Sequence, residues 1–197
     1  MLVRIEFEPS NHTYTIDGAP AISVTQVMDG RVTGYDGIPA HILEAAAHFG
    51  NAVDLACQLI AENDLDESTL DPLMVPRVNA FKQFLADKNV EIISHQTRVA
   101  DKRLMVAGTL DFIMKFDRCL WVIDTKATSS VMPSWTVQTS AYAKFYADMH
   151  GCKNIKRAAL WLRDDGRYKL DIHKDVSDYN VFLSCLNIHR WRQRHYG

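Results

Sequence analysis

Three acids and one lysine stand in segments that are otherwise apolar. Asp111 lies in GTLDFIM (108–114), and Asp124 and Lys126 lie in LWVIDTKA (120–127). Side chains alternate along a strand, so Asp124 and Lys126 share one face and Thr125 takes the other. Asp117-Arg118 stands between the two segments where a tight turn belongs, which places Asp111 and Asp124 on neighbouring strands, able to converge. A charge buried in an apolar strand is costly unless it is paired or bound to a metal. Two carboxylates and an ammonium in one pocket suit a hard cation such as magnesium. The lysine would then orient or deprotonate a water while the metal stabilises charge on a phosphate. The plain alternative is an Asp-Lys salt bridge at a strand end, and for Asp-x-Lys alone it is the stronger reading.

Two further groups bear on this pocket. Gln138 and Tyr142 are four apart, hence on one face of an expected helix. An amide and a phenol side by side can hydrogen-bond a phosphate or orient a metal-bound carboxylate; taken alone, a surface amide and a core aromatic is the stronger reading. Earlier, Leu43, Ala47, Gly50 and Asp54 follow i, i+4, i+7, i+11 spacing and form one stripe. That stripe reads as buried, with the small Ala47 and Gly50 letting the helix approach the sheet closely. Asp54 then needs a partner. A metal shared with Asp111 and Asp124, or a basic side chain, would serve, and both stay open.

The elements that must position these groups follow from periodicity and turn residues. Strands are expected at 3–7 and 11–18, the second ending in Asp17-Gly18. Ser23 caps a short helix to Met28, and 29–38 reads as a loop. Pro39 opens a helix over about 39–62; 64–71 is an acidic loop. A second helix spans about 76–89, with Val78, Phe81 and Leu85 as its buried stripe. Strands follow at 90–99, 103–116 and 119–126, then a helix over 134–149 stopped by Gly151. Strands at 156–163 and 167–173 flank Asp164-Asp165-Gly166, and a last helix covers about 176–194. Three sequential strands favour antiparallel pairing, and a strand after a helix can return parallel. The expectation is a single α/β domain over 1–197. Its mixed central sheet is flanked by helices, with an N-terminal β-hairpin appendage at about 1–28.

Composition narrows the field. Of 197 residues, 47% are apolar and 23% charged, which excludes a disordered tail protein, and the length buries a core without staples. The four cysteines are scattered with no C-x-x-C pair, so a zinc site or disulfide framework is not expected. A net charge of −2 provides no global field toward nucleic acid, so a polyanion must be held by a local basic patch or by metal ions. No apolar run reaches the ~18 residues of a membrane span, and MLVRIEFEPSNHTY is no signal peptide. A cytoplasmic protein without membrane attachment is the expectation. Arg98, Lys102 and Arg103 surround one hairpin, Lys153, Lys156 and Arg157 precede a strand, and Arg190, Arg192 and Arg194 end the chain; each could touch phosphate or be a solvated face. Trp135 and Trp191 could stack on unpaired bases, with core packing the stronger reading. There is no H-E-x-x-H, G-x-S-x-G or P-loop.

Taken together, GTLD (108–111), IDTK (123–126) and QTSAY (138–142) resemble the PD-(D/E)XK nuclease superfamily, above all RecB-like nuclease domains and the exonucleases of phage recombination. HFGNAVD (48–54) resembles the family's early helix motif. HTYTIDGAPAISVTQVM (12–28) and the last helix, with Phe182, Leu186 and Trp191, are similar to the opening and ending of phage-encoded members. The resemblance implies a restriction-endonuclease-like core of helix, three antiparallel strands, helix and strand. It implies that Asp111 and Asp124, with the backbone carbonyl of Thr125, bind magnesium or manganese, that Lys126 positions the attacking water, and that Gln138 and Tyr142 support the site and contact DNA. Asp54 stands where the family has a metal-binding histidine, and aspartate is an adequate hard ligand. His48, six residues earlier, should face elsewhere. Relatives often carry an acid on the strand before Gly-x-x-Asp; here the nearest candidates are Gln96 and Glu91.

The implied activity is metal-dependent hydrolysis of DNA phosphodiesters, by an exonuclease of phage or prophage recombination working on linear duplex ends in a bacterial cytoplasm. A single-strand annealing protein is the implied partner, and a homo-oligomer stays open. Two alternatives remain: a catalytically impaired DNA-end-binding module on the same fold, and an endonuclease of replication or repair.

Overall fold

The computed structural model describes residues 3–34 and 37–196. Three short strands open the chain: β1 (Ile5–Glu8), β2 (Thr13–Ile16) and β3 (Ala19–Ser23). They pair antiparallel in series. Asp17 and Gly18, between β2 and β3, both have positive φ (51° and 81°), which this residue pair tolerates at little cost. Ser23 then caps α1 (Val24–Met28): its hydroxyl accepts from Gln26 N, and the Gln26 side chain accepts from Ser23 N. The expected hairpin therefore continues into a third strand. Within the loop expected at 29–38, residues 35 and 36 lie outside the described residues.

Helices α2 (Ala40–Glu62) and α3 (Val75–Asp87) precede strands β4 (Glu91–Asp101), β5 (Val106–Phe116) and β6 (Cys119–Lys126). Helix α4 (Ser134–His150) leads to β7 (Ile155–Leu162), β8 (Tyr168–His173) and α5 (Asp178–Tyr196). One eight-stranded sheet results, in the order β1-β2-β3-β5-β6-β7-β8, with β4 also on β5. β3–β5 and β6–β7 are parallel and the other pairs antiparallel. This is the expected mixed α/β sheet flanked by helices. Asp117 and Arg118 have φ of 48° and 58° and close the β5–β6 hairpin; α4 ends at Gly151 (φ 66°) and carries the chain across to the parallel β7.

Two apolar clusters cover the two faces. On one, Leu110, Ile113 and Val122 pack with Tyr142 and Phe145 of α4 and Phe182 of α5. On the other, Phe112, Met114 and Ile123 pack with Val53 and Cys57 of α2 and Phe81 and Phe84 of α3. In α3, Val78 and Phe81 are buried as expected, but Phe84 rather than Leu85 completes the stripe. Among the described residues no helix is long and apolar enough to cross a membrane.

Helix α2 departs from the expected pattern. Its buried residues are Val53, Ala56 and Cys57. Ala47 is exposed, and a Cβ on Gly50 would meet nothing within 4 Å. The Leu43–Ala47–Gly50 stretch therefore makes no close approach to the sheet. A helix of 23 residues is about 35 Å long, while α3 beside it has only 13 residues, so the first half of α2 overhangs. Periodicity marks which face is apolar but not how far the surface beneath it extends.

Candidate active site

Strand β5 is served by different neighbours along its length. β4 follows one edge. On the other edge β3 takes the first rungs (Ile22↔Val106, Ser23↔Ala107), and β6 takes the last, from Phe112↔Ile123 to Phe116↔Cys119. Residues 108–111 lie between, where the two partners part. A continued ladder would set Thr125 opposite Leu110. Instead Thr125 N–H donates to Asp111 Oδ2 (2.7 Å). The Thr125 hydroxyl lies 2.9 Å from Asp111 Oδ2 and 3.0 Å from Asp54 Oδ1. One hydroxyl has one proton to offer two carboxylates.

The other edge is irregular at the same level. β4 pairs His95↔Phe112 and Thr97↔Leu110 but skips Gln96 and Asp111, and Gln96 has φ 46°. Freed from the ladder, Gln96 Nε2 donates to Asp54 Oδ2 (3.0 Å). Gln58, one turn along α2, donates to the same oxygen (2.7 Å). The alternation of β5 slips here: Leu110 and Ile113 face α4, while Phe112 faces α2 and α3.

Asp124 and Lys126 meet on the α4 side. Asp124 is 2% exposed and ion-paired with Lys126. Lys126 Nζ donates to Gln138 Oε1 (3.0 Å), and Gln138 Nε2 donates to the Tyr142 hydroxyl (3.4 Å). The i, i+4 spacing of Gln138 and Tyr142 thus becomes a relay from the core to the lysine. Tyr142 is buried and lies against Gly108, where an added Cβ would stand 2.7 Å from its Cε1. That gives Tyr142 a supporting place rather than one at the surface, and it explains the glycine that opens GTLD.

The electrostatics are dominated by an excess of buried negative charge. Burial pushes the Asp111 carboxyl well above the usual range, and the charges of Asp124 and Asp54 push it further; Lys126 and Thr125 N–H oppose them. Burial also raises Asp54, against the hydrogen bonds from Thr125 and Gln58. Tyr142 is pushed well up by burial and then by Asp124. Asp124 Oδ2, though ion-paired, is buried without a well-formed hydrogen bond. Three carboxylates thus share one ammonium, and protons or a cation must make up the balance. Among the described residues no three His, Cys, Asp or Glu side chains are grouped so as to hold a metal ion as they stand. Asp54, Asp111 and Asp124 offer oxygen donors alone, the type that suits magnesium or manganese better than a softer metal.

The structure brings Asp54, Asp111, Thr125, Asp124, Lys126, Gln138 and Tyr142 to this one region. Thr125 enters through its N–H and hydroxyl, whereas the resemblance assigns its carbonyl. Of the two candidates on the preceding strand, Gln96 reaches the group, while Glu91 pairs with Lys115 at the surface. His48 is exposed and Trp135 is buried in the core. The Thr125 hydroxyl and Gln58 were not singled out from sequence. For Gln58 a signal existed, because it stands i+4 from Asp54.

No family model matches this chain, and no curated protein is significantly similar to it in sequence. Among solved structures, it is similar to SSO0001, with a TM-score of 0.41 and 11% identity over 90% of this chain and 77% of that one. It is also similar to an alkaline exonuclease (LHK-Exo) from Laribacter hongkongensis, with a TM-score of 0.38 and 13% identity over 88% of this chain and 92% of that one.

Proposed function

We propose that this protein is a metal-dependent nuclease that hydrolyses DNA phosphodiester bonds where β5 and β6 part. The observation that carries this reading is the close group of a buried Asp124 with the half-buried Asp54 and Asp111, which raise one another's charge cost and which, among the described residues, Lys126 offsets. Asp54, Asp111 and Asp124 would hold magnesium or manganese, which supplies positive charge against the phosphate oxygens as charge builds on them. Lys126 Nζ, held by Asp124 and Gln138, would orient the attacking water. The water oxygen bonds to phosphorus, the bond from phosphorus to the departing nucleotide oxygen breaks, and that oxygen leaves protonated. Gln96 and Gln58 hold the Asp54 carboxylate, while Tyr142 holds Gln138 and through it the lysine.

Asp54 bears on the choice between an active enzyme and an impaired end-binding module. Three side chains hold its carboxylate within the group, so the helix offers a hard ligand at the position where the family has histidine. The motif resemblance extends the proposal to an exonuclease of linear duplex ends in phage or prophage recombination, beside a single-strand annealing protein.

The test incubates end-labelled linear duplex and covalently closed circular DNA with the protein in magnesium, manganese or EDTA. Metal-dependent release of nucleotides from the linear form alone is expected. Lys126→Ala and Asp111→Asn, shown to be folded by circular dichroism, should lose about 10²-fold or more of the rate. Cleavage by either variant at the wild-type rate overturns the assignment. Cutting of the closed circle replaces exonuclease with endonuclease, and DNA binding without cleavage in either metal favours the binding module.

A further inference from the structure

At the start of β5, away from the carboxylates, a second group of polar side chains is built almost entirely from one sign of charge. The chain leaves α1 through Asp29, Gly30 and Arg31, and the last turns of α5 lie beside it, with Ile22 and Met105 below. Arg31, His189, Arg190 and Arg192 line the resulting cleft, opposed by the single acid Asp29.

Backbone carbonyls, not a carboxylate, hold Arg31. Its Nη1 donates to Val27 O (3.2 Å) and Asp29 O (2.8 Å). Its Nη2 donates to His189 Nδ1 (3.3 Å), which leaves the imidazole proton on Nε2. Burial, with the charges of Arg31 and Arg190, holds His189 below the usual histidine range and so keeps it neutral. His189 Nε2 and Arg31 Nε are then two buried donors with no acceptor among the described residues. Buried donors left unsatisfied are rare in proteins and call for a partner. Arg190 spends one nitrogen on Leu104 O (2.5 Å). Among the described residues no ion pair engages Arg31, Arg190 or Arg192.

Donors without acceptors, beside guanidinium groups without carboxylates, make a seat for an anion. We propose that this cleft binds a phosphate group, and that the phosphate belongs to the backbone of the nucleic acid on which the protein acts. The anion site stands on its own geometry; only the source of the phosphate rests on the nuclease reading. The cleft borders the face of the sheet that α4 and α5 cover, where Asp124 and Lys126 also lie. Met105 lies six residues before Asp111, about 20 Å along the strand, or roughly six base pairs at ~3.4 Å each. A contact there grips the substrate away from the bond being cut, and a fragment of two or three nucleotides cannot span both.

The test has three arms. First, inorganic phosphate is titrated into the metal-free protein while the His189 ring is followed by NMR, and its Nε2–H signal should shift saturably. Second, binding of a duplex of about 20 base pairs is measured in EDTA across a salt series, for wild type, Arg192→Gln and Arg190→Gln/Arg192→Gln. Each lost phosphate contact should flatten the slope of log K against log salt by about 0.9, with affinity falling about tenfold in the double variant. The exposed single variant keeps this arm informative if the double one unfolds. Third, hydrolysis of a substrate of about three nucleotides should be the same in variants and wild type.

A His189 signal that phosphate does not move, with unchanged salt slopes, overturns the proposal. A phosphate-dependent shift with unchanged DNA binding assigns the cleft to free phosphate and overturns the nucleic-acid half. A flattened salt slope in a protein that cleaves nothing upholds the cleft while the nuclease reading fails.

Discussion

Gly108→Ala tests the packing that supports the site. The added Cβ would stand 2.7 Å from Tyr142 Cε1 and 3.3 Å from Val24 Cγ2. Carbon atoms pack comfortably from about 3.5 Å, so the ring must retreat by about 0.8 Å. It has little room to do so, since Tyr142 is 4% exposed and packs in the cluster of Val24, Val106 and Leu110. The backbone at 108 is ordinary strand without positive φ. Alanine would otherwise be no worse than glycine there, because glycine weakens a strand interior. The cost is therefore steric, about 1–3 kcal/mol for overpacking of this kind. In a chain of this length that lowers Tm by about 2–4 °C for each kcal/mol. Tyr142→Leu removes the colliding atoms and leaves a cavity in their place. Gly108→Ala added to Tyr142→Leu should then cost at least about 1 kcal/mol less than it does in the wild-type background. Urea denaturation of the four proteins, followed by circular dichroism, reads both quantities. A wild-type midpoint for Gly108→Ala, or additive single variants, would refute the tight contact.

Three further outcomes follow from the same geometry. Asp111 and Asp54 have carboxyls raised in the folded state. The stability they contribute is full below the unfolded carboxylate pKa of about 4 and is lost as pH rises through the raised folded values. Asp111→Asn should therefore flatten the fall in metal-free stability above about pH 4 and, near neutrality, unfold at no lower urea concentration than wild type. Magnesium should raise the Tm of wild type more than that of the variant. Arg157 pairs with Asp178, the two side chains being only 11% and 14% exposed, and also donates to Thr136 O and Asp175 O. Arg157→Ala should cost about 3 kcal/mol by strand-and-helix unpinning, with part of the loss recovered in Arg157→Ala/Asp178→Ala when both are measured by urea unfolding. Ser23→Ala removes the capping box of α1 and should lower stability by about 1 kcal/mol in the same assay.

How much was legible depended on whether the signal was local. Asp17-Gly18, Asp117-Arg118 and Gly151 mark their turns because only a few residue types accept positive φ, and the structure has each at positive φ. Sharing of a strand face by Asp124 and Lys126 follows from alternation alone, and the contact of Gln138 with Tyr142 follows from helical spacing. Non-local facts were out of reach. That β3 pairs in parallel with the start of β5 depends on residues more than 80 positions apart. The overhang of α2 depends on the extent of its neighbours. The slip at Asp111 breaks the alternation used to read the strand, and it is this break that admits Gln96 to the Asp54 carboxylate. Alternation sets Thr125 on the face opposite Asp124 and Lys126, but its hydroxyl acquires meaning only once α2 is packed beneath it.

The fork between β5 and β6 places chemistry and sheet growth in competition for one amide. Thr125 N–H can complete another rung with Leu110 or hold the Asp111 carboxylate, and in this protein it holds the carboxylate. The last rung of the hairpin is therefore a side chain whose charge can change. Whatever neutralises or captures Asp111 alters the acceptor on which that rung depends, so the zippering of the two strands becomes a reporter of the state of the site. Hydrogen exchange at the Thr125 amide should register an occupant of the carboxylate group before any substrate is turned over.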